Sequence, residues 1–301
     1  MYRRLAISIV ACLTLSAGFA LWAEAGNPKT GEADHLSTYR WQIHEGWFGG
    51  FSGLEVSDDG TRLVTISDRG HIVAADISRA RGDIVGLVNV TQFKLLNPEG
   101  AFPAQPTRRD SEGLAQLPSG QLVVSYEGHH RLERRASPDA LPAPLPRDAW
   151  FKTMAANSGF EALAVSSDGR LFAMPEAAVE DTNRIQVYTL LGSHWHPAFT
   201  LSRDAKFQPV GADFGPDGRF YVLERGFNGI GFRTRARSFR IDGTEANDEK
   251  LLFRNGIGGH DNLEGISVWR DSDGRIRLTM ISDDNFRLIQ RTEIVEYVIP
   301  Q

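Results

Sequence analysis

Cysteine is almost missing from this sequence: its 301 residues contain one, Cys12, inside an apolar stretch close to the start. If that stretch is removed, the remaining chain has no disulfide, no thiolate metal site and no cysteine nucleophile, so its stability must come from burial. An excess of basic charge is also missing. Lys and Arg number 33 against 38 Asp and Glu, a net charge of −5, which gives no basic field of the kind nucleic-acid binding needs. Beyond the first segment there is no further apolar run long enough to span a membrane.

That first segment runs Met1-Tyr2-Arg3-Arg4, then Leu5 to Trp22, then Ala23-Glu24-Ala25, the layout of a secretory signal peptide. Residues 1–25 therefore read as the leader and 26–301 as an exported domain, secreted or periplasmic. A membrane anchor and a lipoprotein box at Ile9-Val10-Ala11-Cys12 are the competing readings. The first ends in small residues and an acid; the second would cut the apolar run near its middle.

One pattern recurs five times: a small or acidic residue, a short apolar run, an Asp-Gly type turn, a second apolar run and an acid. The copies run Phe51-Ser52-Gly53-Leu54 to Asp68, Ser111-Glu112-Gly113-Leu114 to Glu127, Phe160-Glu161-Ala162-Leu163 to Glu176, Val210-Gly211-Ala212 to Glu224, and Leu263-Glu264-Gly265-Ile266 to Asp283. Their turns are Asp59-Gly60, Ser119-Gly120, Asp168-Gly169, Asp217-Gly218 and Asp273-Gly274, the dipeptide chemistry of tight hairpins. Start-to-start spacings of 60, 49, 49 and 54, from positions 52, 112, 161, 210 and 264, match four-stranded propeller blades. The expected fold is all-β: a single β-propeller of five blades, six if an irregular one hides between Gly70 and Asp110. Strands at Tyr39 to Ile43 and Ile294 to Ile299 would close the ring. The four prolines between Ser137 and Pro146 rule out a central strand there.

With two-residue turns, residues whose numbers average to the turn centre face each other. Glu112 then faces Glu127, Glu161 faces Glu176, and Glu264 faces Asp283. Opposed like charges destabilise a hairpin, so each pair needs a raised pKa or a cation. All six lie at the end away from the turns, where the inner strands of a propeller line one mouth of its channel. An oxygen-only, multi-carboxylate set suits Ca²⁺ better than zinc. Asp68 and Glu224 could add ligands from the rim, and Asn262, Asp284 and Asn285 are further oxygen donors. Arg69, Arg225 and His129 follow the terminal acids and could stabilise charge on an anionic ester. The bland alternative is that the acids cap blades or pair with arginines.

Other motifs lack the residues their chemistry requires. Gly50-Phe51-Ser52-Gly53 lacks the last glycine of a nucleophile elbow and precedes no helix. His194-Trp195-His196 falls on an expected outer strand, where exposed imidazoles need no metal. Gly226-Phe227-Asn228-Gly229-Ile230-Gly231 and Gly256-Ile257-Gly258-Gly259 precede no helix and make no phosphate loop.

The set Asp110-Ser111-Glu112-Gly113-Leu114, Phe160-Glu161-Ala162-Leu163, Val210-Gly211-Ala212-Asp213-Phe214, Asn262-Leu263-Glu264-Gly265-Ile266 and Ile281-Ser282-Asp283-Asp284-Asn285 resembles the phytase-like family, "esterase-like activity of phytase". The likeness spans nearly all of residues 26–301. It implies an exported propeller, calcium binding and hydrolysis of phosphoesters or carboxyesters. The lysine-rich phosphate clusters of an alkaline phytase are not evident, which argues against phytate. The expected function is a calcium-dependent ester hydrolase, phosphoesters favoured, acting at the acidic mouth on an anionic small molecule. Two alternatives remain: a non-catalytic propeller binding an envelope ligand or partner, and a calcium-dependent lactonase of the gluconolactonase or paraoxonase type.

Overall fold

The computed structural model describes residues 29–155, 159–176 and 183–300. The expected leader, 1–25, lies outside them. Each repeat is a hairpin, but its turn is one residue longer than the dipeptides imply in four of five cases. Leu117 N donates to Gln121 O (2.8 Å), Ser166 N to Arg170 O (3.0 Å), Gly215 N to Arg219 O (2.9 Å) and Asp271 N to Arg275 O (3.0 Å). Each closes a three-residue loop. Glycine takes the last loop position with φ of 81°, 83°, 76° and 82° at Gly120, Gly169, Gly218 and Gly274, a left-handed conformation open mainly to glycine.

Three four-stranded antiparallel sheets stand separately, and a nine-stranded one holds two more four-stranded antiparallel runs joined by a single parallel bridge, Thr200 to Glu245, with Lys29–Thr30 added at Phe253 and Arg254; counted by their antiparallel runs these give five blades. The first holds Phe51–Val56, Arg62–Ser67, His71–Ala80 and Asp83–Lys94; the second Ser111–Gln116, Leu122–Tyr126, Arg131–Arg135 and Ala143–Pro144. The third holds Phe160–Val165, Leu171–Pro175, Arg184–Leu191 and His194–Ser202; the fourth Gln208–Phe214, Phe220–Phe227, Phe232–Asp242 and Glu245–Arg254. In the fifth, Asn262–Arg270, Ile276–Asp283 and Glu293–Ile299 are joined at the edge by Asp34–Arg40 from the N-terminal side. That pairing closes the ring with both ends of the chain, starting earlier in sequence than Tyr39. The segment suspected of hiding a sixth blade is instead the outer half of the first. Pro144 sits on an edge strand, where its missing N–H costs no ladder bond.

The innermost strands pack side by side in sequence order, and the last returns to the first. Five clusters of buried side chains fill the five gaps between blades. Ile66 and Ile72 meet Leu114 and Val124 between blades one and two; Phe172 and Phe199 meet Phe220 and Phe239 between three and four. Phe51 and Leu54 meet Trp269 and Ile281 where the fifth blade meets the first. Both faces of each sheet are covered, which explains apolar side chains on both faces of the inner strands. Among the described residues no helix is long and apolar enough to cross a membrane.

A second irregularity recurs in every inner strand. The register slips by one residue at Phe51/Gly53, Ser111/Leu114, Phe160/Ala162, Pro209/Gly211 and Leu263/Gly265. Each slip is a β-bulge, which bends the strand and re-aims one side chain. The bulge coincides with the small or acidic residue that starts each repeat: Ser52, Glu112, Glu161, Val210 and Glu264. Glycine or alanine follows because the next inner strand passes close by. A Cβ on Gly53 would lie 2.7 Å from Leu114 Cβ, and one on Gly211 would lie 2.5 Å from Glu264 O.

Candidate functional site

The longer turns and the bulges correct the expected face-to-face acids. Glu127 N pairs with Asp110 O (2.9 Å) and Glu176 N with Gly159 O (3.2 Å), while Asp283 stands opposite Asn262. Glu112, Glu161 and Glu264 are instead thrown inward by their bulges. The carboxylates still converge. Asp68, Asp110, Glu112, Glu127, Glu161, Glu176, Glu264 and Asp283 line one cavity of about 270 Å³ at the channel mouth, with Ser52, Arg225 and Asn285 among them. Leu54, Leu114, Leu163 and Ile266 close the channel beneath it, where the void shrinks to about 10 Å³.

Eight carboxylates with one guanidinium cannot all stay charged in a half-buried cavity without a counter-ion. Burial, reinforced by Asp110, pushes Asp68 up to about 7. Burial and Asp110 likewise raise Glu127 to about 7, and burial with Glu264 raises Asp283 to about 8. Glu112 and Glu161 lie well above the usual carboxylate range, from burial first and then from neighbouring glutamates. Burial also lifts Asp110, Glu176 and Glu264, the last two opposed by Arg225.

Arg225 is the one expected charge stabiliser that reaches the cavity. It donates to Glu264, to Asn262 Oδ1 (3.2 Å) and to Glu176 Oε1 (3.5 Å). Arg69 lies outside, its guanidinium 3.1 Å from the centroid of Phe286 and its Nη1 donating to Gly46 O (3.3 Å). His129 sits on an exposed turn and does not line the cavity. Glu224 is not a rim ligand. It is fully buried, held by Arg235 (2.7 and 3.0 Å) and Arg237 (2.7 Å to each oxygen) inside the fourth blade, because Val210 takes the inward bulge position there. Asp284 is absorbed by Gly50 N (3.1 Å) and Thr292 Oγ1 (3.1 Å), whereas Asn285 faces the cavity. His194 and His196 are exposed on an outer strand, as expected, with His194 Nδ1 2.9 Å from Asp148.

Asp110 is a site residue that the turn arithmetic missed. One oxygen each from Asp110, Glu112 and Glu127 can lie within 4.8 Å of the others, spacing suited to a single cation. Asp68 Oδ1 is buried with no hydrogen-bond partner. An unpartnered buried carboxylate oxygen beside three clustered acids is what a hard, oxygen-seeking cation would satisfy, so the residues present fit Ca²⁺.

The sequence profile of the family described as "Phytase-like: Esterase-like activity of phytase" matches residues 46–286. The chain belongs to this family. The match covers all five inner strands of the phytase-like propeller and every acid of its mouth. No curated protein sequence matches it significantly. Among solved structures it is similar to an α-L-arabinofuranosidase from Podospora anserina, with 13% identity over 90% of this chain and 98% of that one and a TM-score of 0.51. An aldose sugar dehydrogenase from Streptomyces coelicolor matches at 13% identity over 89% and 100% of the two chains, TM-score 0.47. A gluconolactonase from Xanthomonas campestris matches at 15% identity over 82% and 72%, TM-score 0.42. At these identities the likeness is one of fold, and function has to be argued from the site.

Proposed function

We propose that this phytase-like propeller is a calcium-dependent ester hydrolase, with phosphoesters as its preferred class, working in the acidic mouth. The observation that carries the reading is eight carboxylates around one cavity with a single arginine. Asp110, Glu112 and Glu127 would hold the ion, with Asp68 completing the set. Bound there, a divalent cation neutralises the acids and draws electron density from an ester oxygen.

The chain's own residues supply the rest. Asp283, titrating at about 8, accepts a proton from the attacking water at its carboxylate, since a group near ambient pH exchanges protons best. Glu161, whose pKa burial and the neighbouring glutamates raise well above the usual carboxylate range, delivers a proton to the leaving oxygen. Arg225, fixed by Glu264 and Asn262, stabilises negative charge on the departing group. The cavity lining holds no apolar side chain, which favours a phosphoester over a lactone. Residues 1–25 would export the chain to a compartment where calcium is plentiful.

The test is hydrolysis of p-nitrophenyl phosphate, p-nitrophenyl acetate and a simple lactone after EDTA treatment, with and without added Ca²⁺. Phosphoester turnover restored by calcium and lost in Glu161→Gln is expected. Turnover indifferent to EDTA and to this substitution would overturn the mechanism. Inactivity on all three, with calcium bound, would favour the ligand-binding alternative.

A further inference from the structure

The four most exposed large apolar side chains among the described residues are Leu288 (106%), Ile289 (88%), Ile230 (86%) and Phe227 (61%). All four lie on two loops at the mouth end of the propeller. One is the hairpin end at residues 227–232, where Phe227 closes the second strand of the fourth blade and Phe232 opens the third; the other, residues 284–292, joins the same two strands in the fifth. The loops form one arc through the segment between those blades. Ile257 packs on Gly231, and Asp261 accepts from Gln290 Nε2 (3.3 Å) and Arg291 N (2.8 Å). Scattered apolar residues on a surface need no explanation, but four at loop tips on one face do.

A second, independent feature shares that face. Arg69, Lys94, Arg109 and Arg287 all lie at the mouth end, and none has a carboxylate within ion-pair distance among the described residues. The buried arginines of the blades are paired: Arg135 with Glu133, Arg277 with Glu296, Arg219 with Asp248, Arg235 and Arg237 with Glu224. Arg69 also stacks on Phe286 and so braces the loop that carries Leu288 and Ile289. The eight mouth carboxylates share this end but none is exposed; they are recessed in their cavity, which leaves apolar tips and unpaired cations on the rim, the composition of a surface that settles into an anionic lipid headgroup layer.

We propose that the mouth face docks on an anionic phospholipid surface, with Phe227, Ile230, Leu288 and Ile289 entering the headgroup region and the four unpaired cations meeting lipid phosphates. The chain then works with its mouth turned toward the bilayer. On the reading of that mouth as an ester hydrolase, the substrate class becomes an ester presented at the membrane, such as a lipid headgroup phosphoester.

The experiment is cosedimentation of the chain 26–301 in EDTA with vesicles of neutral phosphatidylcholine alone or with about one-third phosphatidylglycerol. Because no metal is present and no turnover is read, this result stands apart from the catalytic reading. Binding to the mixed vesicles is expected, weaker to the neutral ones, and reduced by salt. Leu288→Ser with Ile289→Ser should lower the partition coefficient at least tenfold, while Val85→Ser with Leu191→Ser, exposed apolar positions at the opposite end of their blades, should leave it unchanged. Arg287→Gln with Lys94→Gln should remove the preference for the anionic lipid. No vesicle binding, or binding that survives the loop substitutions, overturns the proposal. Self-association abolished by the loop substitutions, without vesicle binding, would assign the face to a second copy of the chain and overturn it equally.

Discussion

Acidification should expel calcium from the mouth far more steeply than from an ordinary carboxylate site. The metal-free cavity stores protons: Asp68 and Glu127 titrate at about 7 and Asp283 at about 8. At pH 7 two half-protonated groups and one about nine-tenths protonated carry about two protons between them. A cation held by Asp68 and Glu127 beside Asp283 must displace those protons, from its ligands by coordination and from Asp283 by its charge, so its apparent affinity changes by about two powers of ten per pH unit near neutrality. Calcium affinity should therefore fall about a hundredfold from pH 7.5 to 6.5. Glu112, also pushed up by burial, would steepen the dependence. Isothermal titration in two buffers of different ionisation enthalpy reads the proton count directly. An affinity that changes less than threefold over that interval, or binding with no proton release, would refute the reasoning.

The same proton store sets the sign of a stability effect. The raised groups bind protons more tightly folded than unfolded, so their contribution is full below about pH 4 and is lost as pH rises through about 7 to 8. The metal-free melting temperature should fall between pH 5.5 and 8.5, and added calcium should reverse the trend. Glu112→Gln removes one buried carboxyl that would hold the ion, so the metal-free variant should melt higher than the parent while binding calcium at least tenfold more weakly, both read by calorimetry. Glu224→Gln should do the opposite: leaving Arg235 and Arg237 without their shared buried carboxylate costs about 3–5 kcal/mol in denaturant titration and leaves calcium affinity intact. Ser125→Ala removes a buried hydroxyl that donates to Phe160 O (2.6 Å) and accepts from Gly113 N (2.8 Å), and should cost about 1–3 kcal/mol by the same measurement.

The blades were legible because each repeat states its hairpin twice, once in the Asp-Gly turn and once in the apolar runs beside it. What was not legible is register. Gly120, Gly169, Gly218 and Gly274 end a three-residue loop rather than fill a two-residue turn, and the bulges at Ser52, Glu112, Glu161, Val210 and Glu264 shift the pairing by one more. Two slips in the same direction put Asp110, not Glu112, opposite Glu127. The signal was present in the glycine or alanine after each inward residue, but its meaning depends on the neighbouring blade, which local pairing arithmetic does not include. The six acids expected at the mouth do meet there because they sit at equivalent positions in successive blades, and the bulge aims the inner-strand member inward whatever it faces. Glu224 misleads for the same reason in reverse. Its position repeats the motif, yet Arg235 and Arg237 on the adjacent strand capture it inside the sheet. Arg69 and His129 follow acids in sequence, but their side chains leave the mouth, Arg69 toward Phe286.

The proposed hydrolysis depends on the mouth binding a divalent cation through these carboxylates. Equilibrium dialysis of the chain 26–301 against Ca²⁺ at pH 7.5, beside Glu112→Gln and Glu224→Gln, measures it. At least one calcium per chain, bound at least tenfold more weakly in Glu112→Gln and kept in Glu224→Gln, is the predicted result. A chain that binds no stoichiometric calcium, or one whose binding ignores Glu112, would contradict it.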